Sequence, residues 1–119
     1  MGTTVTNPAV GKFGFFANLV STDASGCEEI QATPAAGLAI YLDSLMIASD
    51  DAISISIGEG ETVPGTPDTV LLGPVPFAIN QCIQWVFLNG GMKLTDATNL
   101  VVLASAAANI VVFVSGRIQ

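Results

Sequence analysis

The stretch 100–118, LVVLASAAANIVVFVSGRI, constrains the fold more than any other part of the chain. Almost every residue outside its middle is β-branched or large and apolar, whereas Ser105, Ala106, Ala107, Ala108 and Asn109 interrupt it. This pattern predicts two strands, 100–104 and 110–115, joined by a compact turn. A membrane helix is the obvious rival. The apolar run is too short for one, carries Ser105 and Asn109 near its centre, and has no basic flank before it. A buried helix is disfavoured by the crowding of Val and Ile. Both faces of the predicted strands are apolar. Leu100, Val102 and Ala104 alternate with Val101 and Leu103, and Ile110, Val112 and Val114 alternate with Val111 and Phe113. A two-layer sandwich buries one face of each antiparallel sheet. The other face, carrying Val101, Leu103, Val111 and Phe113, needs a second cover, and in so short a chain another copy is the expected one.

Composition points the same way. The 119 residues suit one domain with a sizeable core. Half are hydrophobic and only 11% are charged, against about 25% in average soluble domains, so a lone monomer has few charges with which to cover its surface. Net charge is −7, with Lys12, Lys93 and Arg117 as the only basic residues. Nucleic-acid binding needs clustered Lys and Arg, and an acidic chain is repelled by nucleic acid and anionic membranes; neither is expected as a partner. The opening Met-Gly-Thr-Thr has no charged or apolar signal region. Synthesis in a reducing cytosol is expected, with Cys27 and Cys82 both free and buried; a Cys27–Cys82 bridge is the alternative.

Residues 1–11 are small, polar and punctuated by Pro and Gly, which predicts an extended arm. Residues 12–20 (KFGFFANLV) are read as a strand or as an apolar clasp, with Phe13, Phe15 and Phe16 as anchors. An arm over 1–20 followed by one domain over 21–119 is the resulting division. A short strand is predicted at 27–33 and a long one, apolar on both faces, at 38–48, with Ala39, Tyr41, Leu45 and Ile47 on one side, broken by Asp43. At 52–58 (AISISIG) strict alternation places Ile53, Ile55 and Ile57 inward. A Gly/Pro-rich loop spans 59–68. Two strands, 69–72 and 75–79, are split by Gly73-Pro74 and held to an edge by Pro76. The aromatic strand 83–88 runs into Asn89-Gly90, the strongest hairpin signal in the chain, with 91–94 as its return. Some eight short strands and no convincing helix predict an all-β, antiparallel, jelly-roll-like β-sandwich with an extended N-terminal arm.

Little here asks for chemistry. The chain has no histidine, which removes Ser-His-Asp, Cys-His and His-metal arrangements. Neither cysteine has a basic neighbour in sequence to activate it. Glu59, Glu61 and Asp68 share a loop whose oxygens suit Ca²⁺, but without the EF-hand spacing, and a solvated loop is the plainer reading. Asp50 and Asp51 are expected at the far end of the strand that leads to Glu59. No carboxylate pair is flagged for glycoside hydrolysis. Tyr41, Trp85 and Phe87 are weighed as a sugar-stacking platform, with core packing as the alternative. No catalytic residue, metal or cofactor is expected.

The order of segments resembles a known group. LAIYLDSLMIAS is followed by AISISIGEG, a Gly/Pro loop, LLGPVPFAI, an aromatic strand, and then GMKLTDATNLVVLASAAANIVVFVSGRI. This last part is similar to the end of small virion proteins of tailed bacteriophages. In those, a Gly-x-x-Leu-Thr-x-x-x-x-Leu turn (here Gly91 to Leu100) precedes a final strand ending in an aromatic-Val-Ser-Gly segment (here Phe113 to Gly116). The group includes capsid decoration (cement) proteins and trimeric fibre or tail modules. The resemblance implies a homotrimer made in the host cytoplasm that sits on the exterior of the virion capsid, binds the major capsid protein through its arm, and cements the shell by avidity rather than by chemistry. A carbohydrate- or receptor-binding module of a fibre or tail is the alternative. No large insertion is present to form a receptor-binding head.

Overall fold

The computed structural model describes residues 4–6, 9–10, 14–21, 26–60 and 65–119. Among these, eleven strands and no helix are present: β1 (Thr4–Thr6), β2 (Ala9–Val10), β3 (Gly14–Ser21), β4 (Glu28–Gln31), β5 (Ile40–Ser49), β6 (Ser54–Glu59), β7 (Thr69–Pro76), β8 (Gln81–Val86), β9 (Met92–Lys93), β10 (Leu100–Ala104) and β11 (Ile110–Ile118). They form two antiparallel sheets. The first has the order β1-β3-β11-β5-β8, with β2 also on β3 and β9 also on β5; the second has the order β4-β10-β6-β7. The fold is a β-sandwich.

With the shortest strands (β1, β2 and β9) set aside, the pairing is nested. β3 pairs with β11, β4 with β10, β5 with β8 and β6 with β7, first with last throughout. This is the pairing expected of a jelly roll, in which one long hairpin is doubled over into two sheets.

Period-two alternation supplies the core. Ile110, Val112 and Val114 of β11 face inward and share one core with Leu19 and Ile47 of the neighbouring strands and Ile57 of the second sheet, all 2% exposed or less. Side chains this size contribute about 1.5–3 kcal/mol each when removed from water. β6 fulfils its sequence pattern, with Ile53, Ile55 and Ile57 all buried.

Several local expectations are corrected by the tertiary pairing. The closing strands do not form a hairpin: β10 lies between β4 and β6, and β11 lies between β3 and β5. Residues 105–109 carry the chain across the sandwich, anchored where Asp50 accepts hydrogen bonds from the Asn109 backbone N–H (2.9 Å) and Nδ2 (2.6 Å). In β5 the register against β11 shifts by one residue, Ser44 opposing Ser115 but Leu42 opposing Gly116. Asp43 is thus the extra residue of a β-bulge, which resets alternation. Leu42, Leu45 and Ile47 face the core, and Tyr41 lies on the other side from them.

The Asn89-Gly90 turn exists, with Asn89 at φ 58° and Gly90 at φ 90°, but it does not close a hairpin. The returning β9 pairs with β5 instead, Lys93 opposite Tyr41 and Met92 opposite Leu42. The turn is a detour around the Asp43 bulge on a single edge of β5. Finally, β7 is one strand through Gly73-Pro74, at the edge that its prolines require.

Candidate functional site

The outer surface of the first sheet is the site to which the sequence argument leads. Register places three outward side chains from each of four strands on it. They are Phe16, Asn18 and Val20 from β3; Val111, Phe113 and Ser115 from β11; Ser44, Met46 and Ala48 from β5; and Cys82, Gln84 and Val86 from β8. None of the twelve is charged, on a chain of net charge −7. Phe16 and Phe113 lie with ring centroids 5.8 Å apart and tilted by 34°, and both remain more than a third exposed, as does Val20. Four strands by three rows cover about 400 Å². That is about half of what each partner contributes to a standard protein interface. The patch therefore serves as one contact among several rather than as a complete interface.

A charged cluster bounds this surface beyond Ser115. Arg117 of β11 lies 3.2 Å from the Asp43 carboxylate, donates to the Gly90 carbonyl at 2.6 Å, and stacks 4.6 Å above the Tyr41 ring. The Asp43 bulge, the Gly90 detour and the end of β11 are thus held by one guanidinium.

The four residues predicted to need a partner separate into two pairs. Val111 and Phe113 lie on the open surface just described. Val101 and Leu103 lie on the outer side of the second sheet, where Val101 is fully buried within the one subunit and Leu103 is half-buried. The intramolecular cover is traceable: Val101 pairs with Gly58, a Cβ on Gly58 would collide with the Pro67 ring, and the Cys27 N–H donates to the Gly65 carbonyl. Residues 65–67 lie over this side. Val101 therefore needs no second copy, which was not legible from alternation alone.

Of the three arm phenylalanines, Phe13 lies outside the described residues. Phe15 is buried in the core and Phe16 joins the exposed surface. From Gly14 onward this segment is a strand paired along both of its edges. Tyr41 and Trp85 do not meet: Trp85 opposes Leu45 and packs against the core, whereas Tyr41 points outward beneath Arg117. The two rings do not compose a stacking platform.

Of the three carboxylates assigned to the Gly/Pro-rich loop, Glu61 lies outside the described residues and Asp68 is exposed, as a solvated loop expects. Glu59, at the end of β6, is instead 5% exposed. It accepts hydrogen bonds from the Thr95 backbone N–H (2.7 Å) and the Thr95 hydroxyl (2.6 Å), pinning the turn before β10. Asp50 and Asp51 lie at the opposite end of β6, as expected. They border an open hollow of about 400 Å³ with Ala107, Ala108 and Asn109, where the Asp50 carboxylate is already engaged by Asn109. Among the described residues no three His, Cys, Asp or Glu side chains are grouped to hold a metal ion. No disulfide joins Cys27 and Cys82. Cys27 is buried as expected, but Cys82 is exposed because it points outward from an edge strand.

The chain matches no family model, no curated protein and no solved structure.

Proposed function

We propose that this chain is a structural virion protein, a capsid decoration (cement) protein that binds the outside of a tailed-phage head as a homotrimer and stabilises the shell through its contacts. One observation carries the reading. Twelve outward side chains of β3, β11, β5 and β8 form a patch without a charge, bounded at one end by Arg117 and Asp43, on a chain that carries ten acidic residues. Such a surface excludes water at little electrostatic cost. At about 400 Å² it supports assembly in which several weak contacts act together, as cementing requires. The nested strand pairing supports the jelly-roll architecture that the resemblance implies, and the major capsid protein is the partner proposed for the N-terminal segment. Nothing in the placement of Tyr41 and Trp85 favours a carbohydrate platform.

The test is reconstitution. Purified protein is added to phage heads lacking it, and bound copies and heat resistance are measured, with light scattering giving the free protein's stoichiometry. Saturable binding that raises the temperature of head rupture, by a protein whose stoichiometry in solution is three or a multiple of three, is expected. A protein that stays monomeric and leaves heads unprotected refutes the proposal.

A further inference from the structure

The four sheet edges are not treated alike. In the first sheet, the outer edge of β3 is covered by β1 and β2. In the second, β4 has only four residues and carries Glu28 and Glu29, and β7 carries Pro74 and Pro76, which have no N–H to offer. These are the usual means by which a β protein keeps an edge from pairing with another chain. The remaining edge, β8, has none of them. Its sequence is QCIQWV, with no charge, proline or bulge, and among the described residues nothing pairs with its outer side.

Two further observations converge on this edge. The three most exposed large apolar side chains of the described residues are Ile79 (65%), Val86 (64%) and Leu88 (76%); all lie in β8 or two residues from its ends. In addition, no charged residue occurs from Thr69 to Met92, between Asp68 and Lys93. Both β7 and β8, joined by residues 77–80, fall within that span. A chain of net charge −7 thus keeps β7, β8 and their connection free of charge and leaves the β8 edge open.

We infer that β8 is a self-pairing edge, at which a second copy of this chain adds its own β8 antiparallel about a two-fold axis at Gln84. Directly opposed residues of an antiparallel pair point to the same side, so a self-paired strand keeps its core alternation only where identical or like-facing positions meet. An axis at Gln84 satisfies this. Gln84 opposes Gln84 of the second copy, Cys82 opposes Val86, and Ile83 opposes Trp85. The outward pairs continue the uncharged surface, and the inward aromatic–β-branched pair continues the core. An axis one position earlier would also keep the alternation, but it would set Trp85 against Gln81 and leave Val86 uncovered. In the Gln84 register, Ile79 and Leu88 of the two copies flank the seam at each end. The occupant is another copy: chains of net charge −7 repel one another least where the meeting strands carry no charge, and a second β8 brings the same uncharged, unpaired edge.

This contact does not rest on the capsid reading: being two-fold, it links one trimer to another rather than closing a trimer, and its test is independent of total stoichiometry. Gln84→Cys is introduced into a Cys82→Ser background and treated with a short bis-maleimide, with the Cys82→Ser protein as control for Cys27. Chains linked in pairs through residue 84 on a denaturing gel are expected. In parallel, Gln84→Lys and Gln84→Glu are each expected to self-associate about tenfold more weakly, like charges being opposed at the axis, while a mixture of the two recovers wild-type association. Unchanged melting temperatures show that both variants are folded. Absence of a residue-84 cross-link, whether in an assembling or a monomeric protein, overturns the inference. So does wild-type association by Gln84→Lys. A protein that cross-links at residue 84 but fails to protect heads retains this contact and loses the capsid reading; one that protects heads without the cross-link does the reverse.

Discussion

Removing the Thr95 hydroxyl should measure how firmly Glu59 ties the turn before β10 to the sandwich. Thr95→Val keeps the shape of the side chain and deletes one donor, 2.6 Å from a carboxylate that is 5% exposed, while the backbone N–H bond at 2.7 Å remains. A hydrogen bond to a charged group contributes about 1.5–3 kcal/mol net. Thr95 itself lies at the surface, so the lower end applies and a loss of about 1.5 kcal/mol is expected. Glu59→Ala removes both bonds but also relieves the cost of a buried carboxylate, for a net loss of about 3 kcal/mol. Because the hydroxyl then has no partner to lose, Glu59→Ala/Thr95→Val should match Glu59→Ala within about 0.3 kcal/mol, which gives a coupling near the full effect of Thr95→Val. Urea unfolding followed by the fluorescence of Trp85, the sole tryptophan, reads all four proteins, with the slope unchanged if only stability is altered. In thermal melts each kcal/mol corresponds to about 4 °C in a chain of this size. If Thr95→Val is as stable as wild type, or if the two single losses simply add, the buried carboxylate is not held in the manner described.

Three other outcomes follow from the same structure. Phe113→Asp places a charge in the middle of the uncharged surface at a position 36% exposed; it should leave the melting temperature within about 2 °C and shift light scattering toward the monomer, and unchanged assembly would remove this surface from any interface. Gly116→Ala drives a Cβ into the Tyr41 carbonyl and against the Phe15 ring, and should cost about 2–3 kcal/mol in urea unfolding. Under native conditions a maleimide should label exposed Cys82 and leave buried Cys27 unmodified until urea unfolds the chain; prompt labelling of both thiols would contradict the loop cover over the second sheet.

Strand identity was legible where alternation was strong. The clearest case, the Ile53, Ile55 and Ile57 pattern of β6, survives intact because β6 is flanked by strands on both sides and buried against the opposite sheet. The first sheet's outer surface was half legible: alternation places Val111 and Phe113 on the side away from the core, where the structure has them. Val101 follows the same alternation, and only the fold of residues some thirty-five positions earlier covers it. The Asp43 bulge was invisible for a related reason. Nothing in LAIYLDSLMIA marks the extra residue until Gly116 of β11 is placed opposite Leu42. Asn89-Gly90 correctly signals a turn, but turn chemistry sets only the backbone path. The partner of the returning strand was decided by the edge of β5 left free beyond β8. Glu59 was misjudged because a carboxylate between glycines looks solvated, and its partner Thr95 lies 36 residues away.

The nesting of strand partners has a kinetic consequence. Closing a loop costs more entropy as the loop lengthens, and β6 and β7 are separated by nine residues whereas β3 and β11 are separated by most of the chain. Assembly is therefore cheapest from the middle outward, each completed pair shortening the effective loop for the next. β11, the centre of the first sheet, is then among the last strands to find its place. Until it does, β3 and β5 both present bare edges to solvent, and a chain this poor in charge is most exposed to mispairing during that interval. Refolding should accordingly be slow, in the millisecond-to-second range typical of non-local β topologies, and its yield should fall as protein concentration rises.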